Sequence, residues 1–237
     1  MQFSETTNNT GIVQQVRDFM RVDSTQWATS KIVNSVNNWL DFVAGYAIMK
    51  DRRFQWDDTN HTALPEGTTQ LTINTSDYSF LQDEQGNRIL TLLGISILQN
   101  GKYVPLKVAD RNDPDIDLST FGTTSGTPTM YDKIADNVIR LDKLPPATVA
   151  SGLKFYFQRT PSYFAATDTT KAPGVAQPLH RGFVIASAYD GALTLGLNNL
   201  QALSVELEKE RQKVVDYFAI RNEDEVKRMV PSRENNR

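Results

Sequence analysis

Twenty-eight carboxylates, two histidines and no cysteine set the chemical repertoire of this 237-residue chain. Without cysteine there are no disulfides, thiolate metal sites or cysteine nucleophiles. His61 and His180 are far apart, and neither has a neighbour at ligand spacing or an evident Ser/Asp partner. Both read as satisfied or solvated histidines. The densest acidic run is Asp110-Arg-Asn112-Asp113-Pro114-Asp115-Ile-Asp117. Its oxygens suit Ca²⁺ or Mg²⁺. Against the EF-hand pattern, Asp110 and Asn112 fit, but Pro114 takes the next ligand position. Asp115 stands in place of the turn glycine and Phe121 in place of the closing glutamate. The other reading is an acidic turn whose Asp side chains cap backbone N–H groups.

Glu66, Asp77, Asp83 and Glu84 are the acids from which a glycosidase pair would be drawn. They fall in polar turns, and nothing in the spacing marks one as buried. There is no Walker A sequence, no G-x-S-x-G and no H-E-x-x-H. Phe155-Tyr156-Phe157 with Lys154 and Arg159 has the composition of a base-stacking strand. Its alternation reads first as a strand burying Leu153, Phe155 and Phe157, with Lys154, Tyr156 and Gln158 opposite. The expectation is therefore a protein with no catalytic residue, no metal and no cofactor.

Composition narrows the class. An apolar share of 39% and a charged share of 22% are ordinary for a globular protein. The length fits one large domain or two small ones. A net charge of −3 gives no broad reason to expect nucleic acid or an anionic membrane as a partner. The start, MQFSETTNNTG, has neither a basic region nor an apolar stretch, so no signal peptide is expected. No apolar run approaches a membrane span. Without secretion, the N-x-S/T triplets at Asn8, Asn60 and Asn74 read as chance.

The periodicity changes twice along the chain. Residues 1–10 are polar and expected to be loose. Ile12, Val16, Phe19 and Met20 then recur at helical spacing. Asp23-Ser24 offers an N-cap before a longer helix carrying Trp27, Ile32, Val36, Trp39, Leu40, Val43 and Ala47, ending near Arg52–Phe54. Beyond it the pattern alternates. Leu71 and Ile73 share one face of a strand after a Pro65-Glu66-Gly67 turn. Ile89–Leu98 and Tyr103–Val108 flank Asn100-Gly101, a strong hairpin signal. Val104, Leu106 and Val108 face one way, and Pro105 places this strand at an edge or bulge. Strands Tyr131–Ile134, Val138–Leu141 and Leu153–Gln158 follow. Ala165–Pro178, rich in Thr, Ala and Pro, reads as an extended linker.

The helical period then returns. Phe183, Ala186, Tyr189, Asp190, Leu193, Leu197 and Leu200 trace one helix, with small residues elsewhere on it. Ser204–Ile220 forms a charged helix with Glu206–Lys209 and Glu210–Lys213 pairs and a like-charge Glu206/Glu210 pair. Whether these are two helices or one kinked helix is open at this level. The predicted architecture is α+β: a discontinuous helical bundle from residues 1–54 and 178–222, a β-domain inserted at 55–177, and an extended tail at 223–237.

The order of parts in Gly126–Phe164 resembles one viral structural family. It has a Gly126-Thr-Pro128-Thr-Met-Tyr131 opening, an apolar strand ending at Pro145-Pro146, and an aromatic strand closed by Arg159-Thr-Pro161. This resembles the head-to-tail connector adaptors of tailed phages, which include tail tubular proteins. Phe54-Gln-Trp56, Leu64–Leu71, Asp77-Tyr78-Ser-Phe80 and Gly101–Leu106 are similar to the family's β-domain opening. Leu179-His180-Arg-Gly-Phe183, Ala188-Tyr189-Asp190, Tyr217–Asp224 and Arg228–Pro231 are similar to its C-terminal part. The resemblance spans about residues 11–231.

It implies a virion structural protein of the neck, forming a ring of about twelve identical subunits. The ring would sit between the portal and the next tail component, with genomic DNA passing through without sequence-specific binding and no membrane partner. It also implies that the C-terminal segment docks on the portal. Arg221, Val226, Lys227, Arg228, Met229 and Val230 are the docking residues expected here, though this tail lacks aromatic anchors. Two other readings stand beside it: another tail or baseplate structural protein, or a carboxylate-dependent phage hydrolase.

Overall fold

In a computed structural model, residues 1–50, 66–84, 86–110, 112–113 and 116–220 are described. The chain divides into two units. One comprises Met1–Asp51, Phe164–Lys171 and Gln177–Arg237; the other comprises Arg52–Tyr163 and Ala172–Ala176. The first is helical and the second is built of strands, so the class is α+β.

In the helical unit α1 spans Ile12–Met20 and α2 spans Thr29–Lys50. Ile12, Val16 and Met20 are buried as their spacing predicts, whereas Phe19 is exposed. The apolar positions expected of α2 are all buried, from Ile32 to Ala47. Asp23 does not cap α2. Its Oδ1 accepts from the backbone N–H of Thr25 and Gln26, capping a turn that precedes the helix.

Helix α3, His180–Leu195, carries an unbroken buried run over Phe183–Ala188, while Arg181 near its start and Leu193–Leu195 at its end are exposed. A helical stretch buried all round belongs inside a bundle. Here α1, α2 and α4 (Leu200–Ile220) all pack on it. Small residues make this possible. A Cβ on Gly182 would lie 2.7 Å from Trp39 Cζ2, and one on Gly191 would meet the Met20 side chain. Gly196, at φ 64°, ends α3 in the left-handed conformation that glycine adopts without steric cost. The C-terminal part is therefore two helices. Helix α4 starts before the expected Ser204 and buries Leu203, Leu207, Glu210, Val214 and Phe218 along one stripe.

The N-terminal segment expected to be loose, and part of the stretch read as an extended linker, are tied to this unit. Phe3 is fully buried and stacks on Phe164 with ring centroids 5.1 Å apart. The N–H groups of Phe3 and Ser4 donate to the carbonyls of Lys171 and Thr169. Asn37 on α2 holds Phe164 by both its amide N–H and its carbonyl. Hence residues 165–171, the first part of the stretch read as an extended linker, belong with Phe164 to the helical unit. The Glu5 carboxylate accepts from the N–H groups of Thr7, Asn8 and Thr10. These bonds, Asn8 first, hold its pKa at about 2. Polar composition alone concealed this order, because the ordering contacts come from one phenylalanine and from main-chain groups.

Among the described residues the β unit has two four-stranded sheets. In chain order the strands are β1 Glu66–Leu71, β2 Asp77–Ser79, β3 Ile89–Gln99, β4 Lys102–Pro105, β5 Lys107–Val108, β6 Met130–Ala135, β7 Val138–Leu141 and β8 Val149–Arg159. The sheets run β1-β8-β3-β4 and β2-β7-β6-β5, and β5 pairs with β6 in parallel while the other ladders are antiparallel. They share one core that includes Phe80, Ile95, Tyr131, Ile139, Phe155 and Phe157.

Asn100 and Gly101, at φ 50° and 75°, form the tight turn between β3 and β4. In such a hairpin, bonded and non-bonded pairs alternate from the turn, so Pro105 opposite Ser96 falls on a non-bonded site of an edge strand. Val104 and Val108 are exposed and Leu106 is buried, so the three do not share a face. The chain leaves one sheet for the other at Leu106. Ile73 also departs from expectation: β1 ends at Leu71 and Ile73 is exposed. Glu66 and Gly67, read as a turn, are strand residues. Strand β8 does not extend the β6–β7 hairpin but crosses to the centre of the other sheet.

Candidate functional site

The predicted docking residues Arg221, Val226, Lys227, Arg228, Met229 and Val230 lie outside the described residues. So does His61. Helix α4 leads the chain to that segment, with Val214 and Phe218 buried near its C-terminal end.

The charged face of α4 is a ladder of ion pairs. Lys209 meets Glu206 at 2.6 Å and Lys213 meets Glu210 at 3.4 Å, as their spacing predicts, and Arg211 meets Glu208 at 3.5 Å. The like-charged Glu206 and Glu210 are bridged by Arg181 of α3, at 3.3 and 3.8 Å. This cross-helix cation has no sequence signature, since it depends on how α3 and α4 pair. Asp190 on α3 is half-buried. Burial pushes its carboxyl up, while a hydrogen bond from Ser35 on α2 and the charge of Arg211 on α4 pull the other way. His180 is buried at the start of α3, with Nδ1 3.0 Å from the Met1 nitrogen.

Two acids of the acidic loop cap turns. Asp110 Oδ1 accepts from the N–H of Asn112, and Asp117 Oδ1 accepts from the N–H and hydroxyl of Ser119, capping the 3₁₀ turn Leu118–Thr120. The Ser119 hydroxyl is the main cause that holds the Asp117 carboxyl below its usual range. Asp115 lies outside the described residues. Among the described residues no three His, Asp or Glu side chains are grouped to hold a metal ion.

The four turn acids separate. Asp77 forms a two-pronged pair with Arg140, both contacts at 2.8 Å. Glu66, Asp83 and Glu84 converge on a cavity of about 310 Å³ in the β unit. Strand β1 contributes Glu66, Thr68 and Thr69; Ser79, Phe80 and Gln82 with the two acids Asp83 and Glu84 form a second wall; Phe155, Phe157 and Arg159 of β8 complete the lining. Two of the acids are already matched. Glu66 pairs with Lys154 at 2.7 Å, and Asp83 with the buried Arg159 at 3.2 Å. Glu84 is exposed and has no ion-pair partner among the described residues. Sequence reading placed all of these acids in turns and had no signal for their convergence, which depends on β1 and β8 being neighbours.

The base-stacking reading of β8 is overturned. Phe155 and Phe157 sit in the core, and Arg159 is enclosed in its ion pair. On the outer face Lys154 lies between Tyr103 and Tyr156, 5.6 and 5.4 Å from their ring centroids, with its charge matched by Glu66. No protein-family model matches the chain, and no curated protein matches it.

Proposed function

We propose that this chain is a non-enzymatic structural protein of a tailed-phage particle, an adaptor joining the portal to the tail at the neck. The observation that carries the reading is the order of parts. Helices α1 and α2, then a two-sheet β unit, then α3 and α4 make one helical unit interrupted by a β unit. The resemblance through Gly126–Phe164 and its flanking motifs implies the same build. The ionisable side chains add support: Asp77, Asp83, Glu66 and Asp117 are engaged in ion pairs or caps that hold the fold. In this reading about twelve copies form a ring by repeating one heterologous contact. The ring contacts the portal on one side and the next tail component on the other, and DNA passes through it. The segment with Arg221, Val226, Lys227, Arg228, Met229 and Val230 reaches the portal.

Electron microscopy of the protein with and without portal rings tests this. The expected image is a ring on the portal and none without it. A protein that ignores portal overturns the reading. If the chain instead occupies another position in a reconstructed particle, it is a different tail or baseplate component.

The convergence of Glu66, Asp83 and Glu84 favours a second reading, a carboxylate-dependent hydrolase. Saturable glycan hydrolysis by the purified protein, abolished by Glu84→Gln, would establish it. Absence of turnover across phage-host cell-wall substrates removes it.

A further inference from the structure

We draw no further inference here: the strongest candidate, the acid-rimmed cavity of the β unit over Phe155 and Phe157, carries nothing because Glu66 and Asp83 are already held by Lys154 and Arg159 and nothing in the structure shows what would occupy it beside Glu84.

Discussion

Gly67 and Gly45 carry the same missing side chain and opposite consequences. A Cβ on Gly67 would lie 2.7 Å from Phe155 Cζ, whereas one on Gly45 would meet nothing within 4 Å. Phe155 is confined between Phe80 and Phe157, at centroid distances of 4.5 and 5.4 Å, so its ring has little room to yield. Gly67→Ala is expected to lower stability by about 1–3 kcal/mol through overpacking. Gly45→Ala, in the exposed interior of α2, should raise it by about 0.5–1 kcal/mol. Denaturant melts of the two variants check the pair, and equal effects would show that β1 does not lie against Phe155.

Trp39, at 5% exposure, packs against Gly182 and stacks on Phe42. Its Nε1 has no hydrogen-bond partner among the described residues, so its contribution is packing. Trp39→Ala should cost about 3–5 kcal/mol. Lys154→Ala, which removes a surface pair, should cost less than about 1 kcal/mol.

Asp190 gives the helical unit a pH dependence whose sign follows from burial. Its folded pKa is raised, so the folded state holds the proton more tightly than the unfolded chain does. The stability this contributes is present in full below the ordinary Asp value and is lost as pH rises through the folded pKa. At neutral pH the ionised carboxylate is therefore a burden. Asp190→Asn should be at least as stable as the parent at pH 7, and its advantage should shrink as the pH falls toward 4. Urea melts across that range measure it. An advantage that grows on acidification would show that the contacts of Ser35 and Arg211 outweigh burial.

At the scale of elements, α4 and the segment beyond it separate two roles. The buried stripe Leu203, Leu207, Val214 and Phe218 fastens the helix to its unit. The following residues 222–237 are polar and contain Pro231, with Val226, Met229 and Val230 among charges. Deleting Asn222–Arg237 is expected to leave the circular dichroism spectrum and melting temperature unchanged while abolishing capture by portal rings. Retained capture would move the docking surface to α3 and α4, and unfolding would make the tail part of the bundle.

Much at this scale was legible in advance. The spacing of Ile32, Val36, Trp39, Leu40 and Val43 marked α2, and Asn100-Gly101 marked the β3–β4 turn, because both signals are local. The N-terminal segment was not legible. Its order rests on Phe3 meeting Phe164, a contact across most of the chain. Gly196 was visible as a glycine among small residues, but only its left-handed backbone shows that α3 ends there.

For the molecule as a whole, the adaptor reading makes a prediction about mass. The isolated protein should be mainly monomeric and should join portal as about twelve copies per ring. Mass photometry of the protein alone and of the purified complex checks both halves. A stable dimer indifferent to portal would count against a ring that closes only on its template.

The amino-acid sequence by itself determined the α+β class, the helices at both ends, the hairpin turns and the buried face of β8. Each follows from side-chain period or turn chemistry, which act over a few residues. Only the tertiary structure decided that β8 runs between β1 and β3, that α1, α2 and α4 all pack on α3, that Arg181 bridges Glu206 and Glu210, and that Glu66 and Glu84 share a cavity. These depend on which distant elements become neighbours. That choice is made by burial of the shared core and by ladder pairing, and a side-chain pattern does not encode its partner.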